Sequence, residues 1–542
     1  MDNLQKPNWK RNLVLVAKNT FIWLYQLSQQ LNQQISRLDQ IPIEELLKLK
    51  EFGINGIWLI GIWERSRASK KIKTLYGYHD AAASAYSILS YCITEKLGGR
   101  KSYLKFRENA RSAGIKIGCD MVPNHTGLDS PWLIQHPDWY IEANTNPSDA
   151  FIFTSPDLSP DNAIEIRIEN GYYDQVGAAE VFSYRDRTSN KERFLYHGND
   201  GTSMPWNDTA QLNYLLPEVR DAVRKTIIRI AADFDIIRLD AAMTLTRQHF
   251  KRLWFPGDDN QRCIPTREND RMSDAQFDKL MPEEFWEQVV KDIHAHEPDT
   301  LLLAEAFWLM EGYFIQQIGM DLVYNSAFMH MMAQEKNSEF RDFLHKMVSL
   351  QPDALEHLVN YQTTPDEESA IVLFGETEKY FGVCTLLCTL PGLPMFGHGQ
   401  LEGYREKYGM DYLLPNLQET PNNSLFEKHM QWISPILKYR DLFSSSKNFQ
   451  MHDMIDQNGN IIEDLIVFTN SHSGKNGLVV FNNSPHPYQG TINLDEIIPS
   501  LQKIDLESLR AEDTRMLKTS LNYSSNCIHL DSPPYSSDVF LF

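Results

Sequence analysis

The hydrophobic positions of the first half fall into short unbroken apolar runs, separated by stretches whose apolar residues recur at helical spacing. TFIWLYQL at 20–27 and INGIWLIGIW at 54–63 read as strands. PIEELLKLKEFG at 42–53 reads as the helix between them, with Pro42 at its first turn and Gly53 past its end. SYLKFRENARSAG at 102–114 puts Tyr103, Phe106 and Ala110 on one side before Gly114 stops the helix, and the strand IKIGCDMV follows at 115–122. Val219, Val223, Ile227 and Ile230 predict a helix over about 217–232. FDIIRLDAA at 234–242 is then a strand, and EEFWEQVVKDIHAHEP at 283–298 a helix with Phe285, Val289 and Ile293 as its stripe. LLLAEAF at 301–307, MDLVYN at 320–325, HLVNYQ at 357–362 and a run near 384–396 complete eight strand candidates.

Eight βα units predict an α/β fold, a (β/α)8 TIM barrel with long loops at one end. A doubly wound sheet fits less well, because no glycine-rich dinucleotide fingerprint follows the first strand. The stretch 124–212 is rich in Pro, Asn, Asp, Gly and aromatics and too long for a βα loop, so it reads as an inserted subdomain after strand three. The texture changes again from about 442. EDLIVFTN at 463–470, KNGLVVFNN at 475–483 and SSDVFLF at 536–542, divided by turn residues, predict a C-terminal antiparallel β-sandwich. The expected divisions are 1–123 and 213–441 for the two parts of the barrel, 124–212 for the insertion and 442–542 for the sandwich.

Composition narrows the partners. Hydrophobic residues at 42% and charged residues at 23% of 542 give ample material for a large core. A formal charge of -20 repels phosphate backbones, so nucleic acid is not an expected partner. Lys70, Lys71 and Lys73 form a short basic run that reads as a solvated loop. The opening MDNLQKPNWKRNLVLV lacks the apolar block of a secretion signal, and no run approaches the roughly 18 apolar residues of a membrane span. Cytoplasmic residence and no membrane partner are expected. The six cysteines lack paired metal-ligand spacing, Cys119 reads as a core thiol, and a reducing compartment is favoured.

The chemistry gathers at the strand ends, which a barrel brings to one face. Strand three carries Asp120 and is followed by Asn124 and His125; strand four carries Arg238 and Asp240; strand five carries Glu305; and Asp366 follows strand seven in HLVNYQTTPDEESA. Arg238 and Asp240 are two apart, so both point to one side and can pair, keeping Asp240 ionised as a nucleophile requires. Glu305 lies among Leu, Ala and Phe with Trp308 close by, where desolvation raises a carboxyl pKa toward that of a general acid. Two carboxylates in opposite environments meet the needs of glycosidic bond cleavage. The plainer alternative is that Arg238 and Asp240 only brace the barrel. Trp206, Tyr214 and Trp308 are either stacking surfaces for sugar rings or core aromatics.

Taken in order, GIWLIGIW, LYGYHD at 75–80, DMVPNH at 120–125, QLNYLLPEVR at 211–220, DIIRLDAA, AEAF and LPGLPMFGHGQLEG at 390–403 resemble the α-amylase family of glycoside hydrolases and transglycosidases. The resemblance covers nearly the whole chain. It implies Asp240 as nucleophile, Glu305 as general acid/base and Asp366 as the third carboxylate. It further implies Arg238 as partner of Asp240, Tyr78 stacking beneath the sugar, His125 bonding its hydroxyls and Asp120 supporting the site; Trp308, as a stacking ring, joins them as a candidate substrate-binding residue. A calcium ion often sits by the residue matching Asn124; no cofactor is needed for the chemistry. The expected activity is retaining hydrolysis of α-glucosidic bonds in α-glucans, maltooligosaccharides or small α-glucosides. The alternatives are α-glucan transglycosylation with the same nucleophile and a catalytically weak carbohydrate-binding protein.

The chain departs from the family pattern at three pairs of positions. Ile236 and Ile237 stand for Gly and Phe before the arginine, Met243 and Thr244 for Lys and His after the nucleophile, and Thr364 and Pro365 for the Asn and His before Asp366. Proline offers no side-chain donor, so the alternatives are that Gln362 or a residue of the insertion supplies the bond instead, or that the substrate differs.

Overall fold

The computed structural model describes residues 8–177, 179–202, 204–257, 263–307, 310–493, 507–508 and 527–541. Eight parallel strands close into a barrel: β1 (Leu15–Asn19), β2 (Gly56–Ile60), β3 (Lys116–Met121), β4 (Ile236–Leu239), β5 (Leu301–Ala304), β6 (Leu322–Tyr324), β7 (Leu358–Tyr361) and β8 (Leu393–Phe396). Each pairs with its neighbours in chain order, and β1 closes on β8 through Leu15↔Met395 and Val16↔Phe396. Both faces of such strands are covered, one by the barrel interior and one by helices, so they read as continuous apolar runs.

That continuity explains two differences from the sequence-based expectation. TFIWLYQL is not the first strand; it opens the helix Thr20–Leu31, and β1 is the LVAKN just before it. Apolar residues run from buried strand into buried helix, so the border carries no clear polar mark. The run near 384–396 likewise divides into the end of helix Glu378–Thr389 and then β8. That helix is buried on every side from Tyr380 to Thr389, which removes the amphipathic stripe. Lys70, Lys71 and Lys73 also lie on a helix, Arg67–Leu75, rather than a loop.

The connection between β3 and β4 carries a four-stranded antiparallel sheet and a two-stranded one, in which His125–Gly127 pairs with Thr209–Gln211. The chain after β8 builds a five-stranded and a three-stranded antiparallel sheet. These pack against the barrel helices through Phe481, whose ring lies where a Cβ on Gly382 would have to be. Arg341 on the helix Asn337–Leu350 donates to the Leu465 carbonyl at 2.7 Å across the same seam.

Candidate functional site

Strand register brings the charged residues together. Arg238 on β4 is the direct partner of Asp120 on β3. One step past the strand ends, the amide of Asp240 donates to the Met121 carbonyl and that of Glu305 to the Leu239 carbonyl, so the ladder extends to the two carboxylates. The Arg238 guanidinium then holds all three acids: Nη1 lies 2.5 Å from Asp240 Oδ1 and 3.3 Å from Asp120 Oδ1, and Nη2 lies 2.7 Å from Glu305 Oε1. Ala241, left-handed at φ +45°, turns its amide to donate to Glu305 Oε2 at 2.7 Å. A non-glycine residue in that conformation costs about 1–3 kcal/mol and persists only where its surroundings hold it. Here it couples the residue after Asp240 to Glu305.

Aromatic faces line the cation. The guanidinium carbon sits 5.3 Å from the ring centres of Trp58 and Tyr86 and 5.9 Å from Tyr324. One buried cation among three buried acids leaves an excess of negative charge, and burial disfavours it. Burial pushes the Glu305 carboxyl up to about 7; Arg238 opposes the rise, and the fields of Asp240 and Asp366 add to it. Asp120 rises to about 7 for the same reason, again against the pull of Arg238. Asp240 also rises, because burial outweighs the guanidinium that the sequence-based expectation has prevailing. Arg238 itself is held well above its ordinary value by Glu305, two tyrosines and Asp240, despite the desolvation that works against its charge.

The hollow of about 590 Å³ lined by Arg247, Lys251, Glu284 and Tyr313 includes none of Asp120, Arg238, Asp240 and Glu305. A small cavity of about 40 Å³ opens instead between Asn19, Ile60, Thr364, Pro365 and Tyr408, at the mouth of the barrel. The segment after β8 walls that side. Lys73 pairs with Asp411 at 2.7 Å, Arg65 donates to the Met410 carbonyl at 3.0 Å, and Lys407 donates to the Asp366 carbonyl at 2.6 Å.

The same architecture occurs in known proteins. The noncanonic maltogenic alpha-amylase AmyB of Thermotoga neapolitana superposes with a TM-score of 0.60 at 15% identity, over 98% of this chain and 96% of that one. A debranching enzyme from Nostoc punctiforme gives 0.64 at 14%, over 99% and 100%. At such identities the likeness is one of fold. Alpha-amylase 3 of Dictyoglomus thermophilum is 19% identical over 402 residues, 72% of this chain and 65% of that protein's length. The family model for the alpha amylase catalytic domain matches residues 32–407.

The chain belongs to the alpha-amylase family.

Against the family's motifs, the remaining expected residues part company. Asp366 lies in an exposed turn beyond β7, yet its field reaches both Glu305 and Tyr86. His125 is buried, packs on Trp206 with ring centres 5.0 Å apart, and is driven down to about 4 by burial, so it is neutral at physiological pH. Trp308 lies outside the described residues. Tyr78 is 55% exposed, and its ring contact is with Tyr76, at 6.4 Å. Two tyrosines do meet the Arg238 cluster, Tyr86 and Tyr324, and the buried hydroxyl of Tyr86 has no hydrogen-bond partner among the described residues. Tyr86 sits between small residues with no motif of its own, so nothing in its local sequence marks it; only the folding of its loop over the strand ends reveals its place.

Three other readings become specific. Tyr214 is a core aromatic, fully buried with its hydroxyl on the Pro123 carbonyl at 2.6 Å. Gln362 cannot supply the missing imidazole donor, since its Nε2 donates inward to the Tyr380 carbonyl at 3.1 Å and its Oε1 accepts from Gln400. Met243 and Thr244 are buried in a tight turn, and the Thr244 hydroxyl donates to the Ala241 carbonyl at 2.7 Å.

The family's calcium does not fit the residues at its place. The Asn124 side chain is bonded to the carboxamide of Gln211, and among the described residues no group of three His, Cys, Asp or Glu could hold a metal ion.

Proposed function

We propose that the protein is a retaining glycoside hydrolase of α-glucosidic bonds, acting on α-glucans, maltooligosaccharides or small α-glucosides. The observation that carries this reading is the single guanidinium that binds Asp240 and Glu305 at once, with Glu305 raised to about 7. A shared cation favours a close pair of carboxylates, near the roughly 5–5.5 Å of a double-displacement site rather than the wider gap that admits a water in inverting enzymes.

In this mechanism Asp240 attacks the anomeric carbon while Glu305, protonated below about pH 7, gives its proton to the departing glycosidic oxygen. The glycosyl group is then bound to Asp240 as an ester. Glu305, now ionised, takes a proton from water, which attacks the same carbon from the opposite face and frees Asp240. Arg238 holds the nucleophile in place and, by its charge, keeps enough of it ionised against the pull of burial. Asp366 meets the sugar hydroxyls in the flattened, oxocarbenium-like state. Tyr86 takes the sugar-facing position that the motif assigns to Tyr78, because its ring and free hydroxyl lie at the cluster.

Product analysis after incubation with maltooligosaccharides and small α-glucosides, with and without an added sugar acceptor, tests the proposal. Glucose-containing products that vanish in Asp240→Asn are expected. Longer products formed only with acceptor would shift the reading to transglycosylation, and no products across the panel would leave a carbohydrate-binding protein.

A further inference from the structure

The misfit at the calcium position has a structure of its own. Asn124 and Gln211 are both fully buried. Gln211 Nε2 faces three oxygens: Asn124 Oδ1 at 3.0 Å, the Asn124 carbonyl at 3.1 Å and the Leu212 carbonyl at 3.2 Å. Its Oε1 accepts from Asn124 Nδ2 at 3.0 Å. The network fixes the amide orientation, since the reversed carboxamide would turn an oxygen toward three oxygens and remove the donor it now gives each of them. Three oxygens converging on one point is the surrounding a hard cation takes, but at hydrogen-bond length rather than the roughly 2.3–2.6 Å of calcium coordination.

The position matters for the fold. The Leu212 amide donates to the Asn124 carbonyl at 3.2 Å, and Gln211 is the register partner of His125 in the short antiparallel pair. The bonds between the two carboxamides therefore tie the chain leaving β3 to the chain that returns before β4. The acceptors are all neutral, and calcium affinity rises with the number of charged ligands, so an ion entering here would displace a satisfied donor and gain no carboxylate.

We propose that the Gln211 carboxamide fills the place of the family's calcium ion, so that the join between the barrel and the segment carrying His125 is held without any divalent cation. The clasp stands independently of the glycosidase reading, because its consequence is one of stability. Such a clasp is present at any calcium concentration and insensitive to chelators.

Thermal unfolding of the full chain, in EDTA and in calcium chloride, tests this. The wild-type Tm is expected to be the same in both. Gln211→Met, which keeps the size and removes the donor, is expected to unfold at a lower temperature by the same margin in both. Gln211→Glu, which introduces a carboxylate, is expected to fall in EDTA and recover with calcium. A wild-type Tm that drops in EDTA and returns with calcium overturns the proposal, and that result needs no variant to fold. Gln211→Met unfolding at the wild-type temperature overturns it equally.

Discussion

Two arginines, Arg238 and Arg440, are buried at opposite ends of the barrel with their side chains almost wholly excluded from solvent. Arg440 lies by the start of β8 and donates to the carbonyls of Cys388 at 2.8 Å and Leu390 at 2.9 Å, and also to that of Gly392. It closes the end of the helix Glu378–Thr389 with neutral acceptors, and burial drives its pKa down to about 10. Arg238 lies at the end of β4 against three carboxylates, which hold its charge while burial lifts two of theirs to about 7. The residue type and the degree of burial are shared; the acceptors differ. Neutral carbonyls make an arginine a clamp with no titration near neutrality, whereas carboxylates make it the counter-ion of groups poised to move a proton.

The contrast is open to test from its largest effect downward. Asp240→Asn removes the proposed nucleophile, and kcat should fall by about 10⁴-fold or more with the fold intact by circular dichroism. Arg238→Met should cost about 3–5 kcal/mol of stability, because it strands buried acids without their cation. That loss should grow as pH rises through about 7, where Glu305 and Asp120 ionise, as denaturant unfolding at several pH values would reveal.

Glu305→Gln should lower kcat by about 10²–10⁴-fold and abolish the fall in kcat/KM that the wild type shows above about pH 7. The same variant carries a linked effect on stability. A folded pKa raised from 4.5 to about 7 means that the wild type is most favoured below 4.5 and loses that contribution as pH rises through about 7. Glu305→Gln should therefore gain Tm relative to the wild type at alkaline pH and gain nothing at pH 4. Asp366→Asn should lower kcat by roughly 10²–10³-fold, the scale of one transition-state contact. Arg440→Met completes the series: about 1–3 kcal/mol of stability lost for orphaned carbonyls, flat between pH 5 and 8, with kcat of the folded protein unchanged. A pH-dependent loss at Arg440, or a flat one at Arg238, would break the contrast.

The site's charged residues are legible in the sequence because strand periodicity and register place them. Residues two apart on a strand share a side, and parallel register brings Asp120 level with Arg238 while Asp240 and Glu305 follow directly after the paired Leu239 and Ala304, so strand-end acids can be grouped from the order of the apolar runs alone. What stays hidden is set by packing. Whether burial or the guanidinium governs Asp240 is a balance of two large opposing effects that sequence does not weigh. Tyr86 reaches the cluster through the fold of its loop, and Gln362 leaves it because its amide is used by Gln400 and Tyr380. The first strand is hidden for a different reason, since LVAKN is buried throughout and the helix after it begins with a buried, mostly apolar turn, so the border leaves little polar mark.

The central claim, that Asp240 bonds covalently to the sugar, is tested most directly by trapping. The full-length protein would be incubated with a fluorinated α-glucosyl fluoride, whose ring fluorine slows release of the intermediate, and then digested for peptide mass spectrometry. One fluoroglucosyl group on the peptide bearing Asp240, at Asp240 itself and absent in Asp240→Asn, is the predicted result. An unlabelled Asp240, whether or not the donor is consumed, would contradict it.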